Sequence, residues 1–258
     1  MPRFAANLSM LFTEFPFLDR FDHAAAAGFA GVEVLFPYDE DVDAIVAALK
    51  RNDLELVLFN LPAGDFAAGE RGIANDPRRV AEFQTGLAQA LDLTQRFNCN
   101  RLNCLSGLTL PEVPRETQLA TLKTNLAYAA NGCSRARVRQ LVEPLNTVDT
   151  PGFLLSTAEA VLALIEELDH PNLALQLDIY HATMMHEDPI ALIRDHLLRI
   201  GHIQIADSPG RHQPGTGSIN FAPIFAALDT AGYDGWVSLE YRPEVDTVAS
   251  LAWLHAYR

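Results

Sequence analysis

Cysteine is scarce in this chain of 258 residues: Cys99, Cys104 and Cys133 are all there is. Three thiols are too few for a disulfide framework, and their spacing fits no zinc motif. A reduced, cytoplasmic setting is the expectation. No apolar run reaches the roughly 18 residues of a membrane-spanning helix before a charge interrupts it. The opening residues, Met-Pro-Arg-Phe-Ala-Ala-Asn, lack the apolar core of a secretory leader and enter a strand pattern at once. Basic residues are outnumbered by acidic ones, giving a formal charge of −14. That balance speaks against nucleic acid or an anionic membrane as a partner. An anionic substrate would need a locally basic pocket. A glycine-rich phosphate loop is also missing, since the first strand runs into Asn7-Leu8-Ser9-Met10-Leu11. Nothing in the sequence sets an oligomeric state.

What is present is a regular alternation of short apolar runs with helical patterns. Strands are expected over residues 4–8, 31–36, 54–60, 101–105, 138–143, 173–178, 201–206 and 236–240. Helices are expected over 17–27, with Gly28 as the stop, and over 42–50, 116–134, 189–198, 221–228 and 246–257. Asp76-Pro77 reads as a cap and first turn of a helix running to about Phe97. Ser156-Thr157-Ala158-Glu159 has the form of a capping box, opening a helix to about Leu168. A long loop separates the third strand from its helix. Composition does not shift along the chain, with 49% hydrophobic and 20% charged residues overall. Strand–helix alternation demands parallel pairing with right-handed crossovers. Eight repeats in this length predict an α/β fold, one (β/α)₈ barrel domain over residues 1–258, since such barrels span about 250 residues. A doubly wound open sheet is the competitor, and the missing phosphate loop weighs against it.

Four of the apolar runs end in oxygen-bearing side chains. Leu173–Asp178 ends in Asp178, the fifth strand ends in Glu143, the seventh carries Gln204 near its end, and the eighth ends in Glu240. A charge at the end of a buried strand needs a partner: a metal, a cation or a hydrogen-bond network. Capping a helix or pairing with an arginine would satisfy any one of them. In a barrel all four lie on consecutive strands at the C-terminal face, where active sites sit. Two residues back from three of them stand Gln176, His202 and Ser238, which the period of two turns inward, one layer lower. They are expected to form a hydrogen-bonded layer beneath the ligands. Carboxylate and amide oxygens without cysteine favour magnesium or manganese over zinc. Two glutamates across a bound metal suit proton abstraction and return beside a carbonyl.

The sequence resembles the hydroxypyruvate isomerase family, within the xylose isomerase-like barrels. The resemblance is carried along the whole chain by Phe4–Phe12, by Leu61-Pro62-Ala63-Gly64-Asp65-Phe66-Ala67-Ala68-Gly69-Glu70-Arg71-Gly72, and by Val142-Glu143-Pro144-Leu145-Asn146. Leu177-Asp178-Ile179-Tyr180-His181, Gly201-His202-Ile203-Gln204-Ile205-Ala206-Asp207, Pro214-Gly215-Thr216-Gly217 and Gly235-Trp236-Val237-Ser238-Leu239-Glu240-Tyr241 continue it. The resemblance implies a TIM barrel, a divalent metal held by Glu143, Asp178, Gln204 and Glu240, and proton transfer by Glu143 and Glu240. It implies hydroxypyruvate as substrate, interconverted with tartronate semialdehyde through an enediol. Arg71 and Arg211 are then the guanidiniums expected to grip the substrate carboxylate. His181 is expected to hydrogen-bond a substrate oxygen, and Glu70 and Glu33 are further pocket candidates. A 2-oxo-tetronate isomerase or a ketose 3-epimerase would keep the same barrel and motifs. A metal-dependent DNA-repair endonuclease would need a basic groove, and a non-catalytic sugar-binding barrel would not need two opposed glutamates.

Overall fold

A computed structural model describes residues 2–257. Eight strands pair in parallel and in sequence order, and the first closes against the last. They are β1 (Arg3–Asn7), β2 (Gly31–Glu33), β3 (Glu55–Asn60), β4 (Arg101–Leu105), β5 (Arg139–Glu143), β6 (Leu173–Asp178), β7 (Ile200–Ile205) and β8 (Trp236–Leu239). The crossovers carry α1 (Asp19–Ala26), α2 (Val42–Arg51), α3 (Val80–Phe97), α4 (Arg115–Ala136), α5 (Ala158–Leu168), α6 (Ile179–Met184), α7 (Pro189–His196) and α8 (Phe221–Ala231). A short α9 (Thr247–Ser250) and a 3₁₀ turn over Ala252–Ala256 complete the order. The expected (β/α)₈ barrel is the fold observed.

The helices form where apolar residues recur at helical spacing. In α3 the buried positions are Phe83, Leu87, Ala90, Leu93, Thr94 and Phe97, one stripe facing the sheet. Phe97 meets Phe59 of β3 edge to face, with ring centres 5.8 Å apart. Each such side chain, fully buried, contributes about 1.5–3 kcal/mol. Asp41 caps α2 by accepting from the Ala44 N–H, and Asp188 caps α7, which has proline at its first turn.

Several expected boundaries moved, for local reasons. The α3 helix starts at Val80, because the Asp76 carboxylate takes the Arg78 N–H and guanidinium and stops short of capping a helix. Thr157, not Ser156, caps α5; Glu187 takes the N–H groups of Ala158 and Glu159. Strand β2 ends at Glu33 and α1 begins at Asp19. The last helix is two short pieces. The α6 helix was not expected: its apolar residues simply continue the run of β6, and the Asp178 carboxylate caps it from the strand end.

The lower barrel interior is a small apolar cluster of Ala5, Val57, Leu58, Leu141, Ala174 and Trp236. A Cβ at Gly31 would lie 2.9 Å from the Trp236 ring, so only glycine fits there. Arg3 stacks on that indole at 3.9 Å, and Trp236 Nε1 donates to Glu55. Above this layer the interior turns polar.

Candidate active site

Every strand contributes a buried polar side chain at or near its C-terminal end: Asn7, Glu33, Asn60, Asn103, Glu143, Asp178, Gln204 and, one residue past β8, Glu240. They are wired together around the barrel. Asn7 Nδ2 donates to Glu33 Oε1 at 2.7 Å and to Glu240 Oε1 at 3.3 Å. Asn103 Nδ2 donates to Glu143 Oε2 at 2.7 Å and to Asn60 Oδ1 at 3.0 Å. Gln176 Nε2 donates to Gln204 Oε1 at 2.6 Å, and Gln204 Nε2 to Glu33 Oε1 at 2.5 Å. His202 Nε2 lies 2.9 Å from Glu33 Oε2 and 3.1 Å from Ser238 Oγ. Gln176, His202 and Ser238 therefore sit inside the barrel, where their contacts reach Gln204 and Glu33.

Burial sets the electrostatics. It pushes the Glu143 carboxyl up from 4.5 to about 8, with the neighbouring Asp178 charge adding to the effect. Burial likewise raises Asp178 and lifts Glu240 well above the ordinary carboxylate range, each opposed by Arg211. Arg211 Nη2 lies 2.5 Å from Glu240 Oε2 and 3.4 Å from Asp178 Oδ2. Burial pulls this guanidinium down, but the carboxylates of Glu240, Asp178 and Glu143 outweigh it and hold it charged. Its Nε is buried without a hydrogen-bond partner. The loop that carries it is anchored by Asp207, whose carboxylate accepts from the N–H groups of Ser208, Gly215, Gly217 and Ile219 at 2.8–3.0 Å.

His181 faces the same cup. Its Nδ1 accepts from the Asn146 backbone N–H at 3.1 Å and lies 2.7 Å from Asn146 Nδ2. Asn146 Oδ1 is taken by the N–H groups of Val148 and Asp149, so its nitrogen end is the one turned to the imidazole. Burial, with Arg211 nearby, holds the ring neutral, its pKa well below 6.5. The proton therefore sits on Nε2, which lies 3.6 Å from Asp178 Oδ2 and has no hydrogen-bond partner.

Glu143, Asp178 and His181 offer ligand atoms within 4.8 Å of one another. Three buried carboxylates face one guanidinium, so the residues fit a divalent cation. In the arrangement observed, the tautomer makes His181 Nε2 a hydrogen-bond donor in this group.

The two residues of the third loop lie elsewhere. Arg71 stacks on Phe66 at 3.9 Å and donates to the carbonyls of Phe66 and Glu70. Glu70 pairs with Arg79 at 2.5 Å and accepts from the Asp65 N–H. Both brace their own loop and neither touches the carboxylates in this structure. Asn7, Asn60, Asn103 and Asn146 were not picked out from the sequence. The strand-end rule that found Glu143 would have found Asn7 and Asn60, had neutral amides been counted with carboxylates; Asn103 lies in the middle of β4.

The chain belongs to the xylose isomerase-like TIM-barrel family, whose model matches residues 21–257. Within that family it is an isomerase. It is 45% identical to the hydroxypyruvate isomerase of Escherichia coli (strain K12) over 258 residues, covering 100% of both chains. It is 43% identical to the 2-oxo-tetronate isomerase of Cupriavidus necator, covering 100% of this chain and 99% of that one. Among solved structures, an AP endonuclease, family 2, from Brucella melitensis superposes with a TM-score of 0.97 at 44% identity over the whole of both chains.

Proposed function

We propose that this isomerase interconverts hydroxypyruvate and 2-hydroxy-3-oxopropanoate (tartronate semialdehyde) by proton transfer through an enediol. The observation that carries the reading is the pair of buried glutamates, Glu143 at the end of β5 and Glu240 just past β8, gathered with Asp178 around Arg211. Two carboxyl groups in one cup supply both halves of a proton transfer, one taking a proton and the other returning one. A magnesium or manganese ion held by oxygens of Glu143, Asp178, Gln204 and Glu240 would supply polarisation of the substrate carbonyl and hydroxyl.

The chain's own groups do the rest. One glutamate removes a proton from the hydroxymethyl carbon, and the other delivers a proton to the former carbonyl carbon. The hydroxyl proton and the carbonyl exchange places in the same passage, so atoms balance without a redox partner. His181 Nε2–H donates to a substrate oxygen. The unpartnered Nε–H of Arg211 is the donor at hand for the substrate carboxylate, with Arg71 brought in by its loop. The full-length similarity to isomerases of 2-oxo acids supports this substrate class. The charge of −14 and the lone imidazole, held as a donor, weigh against an endonuclease. The buried free thiols of Cys99, Cys104 and Cys133 suit a cytoplasmic enzyme.

The test is a panel: hydroxypyruvate, a four-carbon 2-oxo acid, ketoses and abasic-site DNA, each with chelated enzyme and with added magnesium or manganese. Metal-dependent turnover of hydroxypyruvate is expected to exceed the others. Preference for the four-carbon acid would move the substrate by one carbon. Epimerisation of a ketose or cleavage of DNA, with no turnover of 2-oxo acids, would overturn the reading.

A further inference from the structure

The reaction gives no task to Glu33, a buried carboxylate inside the barrel. Glu33 is fully buried at the end of β2, across the barrel from Gln204. Three nitrogen groups converge on it: Asn7 Nδ2 and Gln204 Nε2 on Oε1, and His202 Nε2 on Oε2. Gln204 has two chemically opposite ends, an acceptor oxygen and a donor NH₂. Only its oxygen can ligate a cation. A carboxylate oxygen beside one end and an amide N–H beside the other decide which way it faces. Glu33 takes the NH₂ end at 2.5 Å, which leaves the oxygen on the β6 side, where Gln176 donates to it. Asp178 is the β6 residue in register with Gln204. Through Asn7, Glu33 also reaches Glu240.

We propose that Glu33 is a positioning residue of this site: it fixes the amide of Gln204 with its oxygen toward β6, the strand that ends in Asp178, and holds Asn7 against Glu240. The proposal rests on the metal reading above. Glu33 touches neither substrate nor cation; it acts through Gln204. The Glu33→Gln change removes the preference, because a glutamine at 33 can present its own NH₂ to Gln204 and turn that amide over.

Manganese binding, followed by electron paramagnetic resonance, reads this directly without turnover. Glu33→Gln is expected to bind manganese about 10–100-fold more weakly than wild type, the usual loss when a ligand's supporting hydrogen bond is removed. In a Gln204→Glu background, the further change Glu33→Gln should alter manganese binding by no more than a few-fold. A carboxylate at 204 has an oxygen at either end, so it needs no orienting partner. Wild type that binds no manganese would overturn the metal reading, and this proposal with it. Wild type that binds, with Glu33→Gln binding equally well, would overturn the proposal alone. So would an equal loss in both backgrounds, since Glu33 would then act by charge or packing. Should the single variant fail to fold, the comparison of Gln204→Glu with the double variant carries the test. A difference of no more than a few-fold between those two supports the proposal, and a loss of tenfold or more refutes it.

Discussion

In chelator-treated enzyme, thermal stability is expected to fall as pH rises from about 6.5 to 8, a window set by the histidine reference value and by Glu143. Burial raises Glu143 from 4.5 to about 8, and Asp178 and Glu240 shift the same way. A carboxyl raised in the fold binds more protons there than in the unfolded chain. Its stabilising contribution is full below the unfolded value and lost as pH climbs through the folded one. His181 and His202 are lowered by burial, so they act in the opposite sense. They stay neutral while the unfolded chain protonates them, and that penalty is gone above about 6.5. Above that point the carboxyls govern the slope. One net proton is worth about 1.4 kcal/mol per pH unit, so Glu143 alone removes about 2 kcal/mol across the window. At about 2–4 °C per kcal/mol for a chain of this size, Tm should drop by about 4–8 °C. Scanning calorimetry at a series of pH values, with chelator and with excess manganese, measures it. Bound manganese holds the carboxylates ionised, so the two curves should separate as pH rises. A chelated curve that stays flat or rises would refute the reasoning.

Glu143→Gln and Glu240→Gln should each lower kcat by about 10²–10⁴ while KM changes only several-fold, as steady-state kinetics will show. In heavy water the product should carry deuterium at the carbon that gains hydrogen; unlabelled product would mean a direct hydride shift, with the glutamates serving as ligands alone. Asp207→Ala strips the acceptor from four N–H groups and frees the loop bearing Arg211. Of these donors Ser208 is the buried one, and stranding it costs about 1–3 kcal/mol; a drop in urea midpoint and a raised KM are expected, and an unchanged KM would separate Arg211 from substrate binding. Gly72→Ala places a Cβ 2.3 Å from the Leu105 carbonyl at a φ of +105°, so a loss above about 1 kcal/mol is expected in urea melts.

The barrel and its charged arc were legible because a carboxylate at the end of an apolar run breaks the pattern. Glu143, Asp178 and Glu240 announce themselves that way. Asn7 and Asn60 do not, since a neutral amide ends a run as readily as it begins a loop, and Asn103 sits in mid-strand, where no run ends. The α6 helix was hidden by Ile179-Tyr180-His181-Ala182, which extend the apolar run of β6 without a stop. The direction of Arg211 depends on a left-handed residue, at φ 57°, in a loop pinned by Asp207, and linear spacing encodes neither. The proton position on His181 is set by Asn146, 35 residues away in the chain. Asp178 does two things at once: it caps α6 and faces Arg211, so the structural and chemical readings of a strand-end carboxylate coexist in one side chain.

The indole of Trp236, seated against Gly31 and covered by Arg3, stoppers the lower end of the barrel. Among the described residues, the polar groups gather at the other end of the strands. In the proposed isomerisation, substrate and product would share that one cup. For an interconversion of two isomers this makes them mutually exclusive occupants. Each should inhibit the other's conversion competitively at every concentration, and the direction of net flux is then set by their ratio in solution.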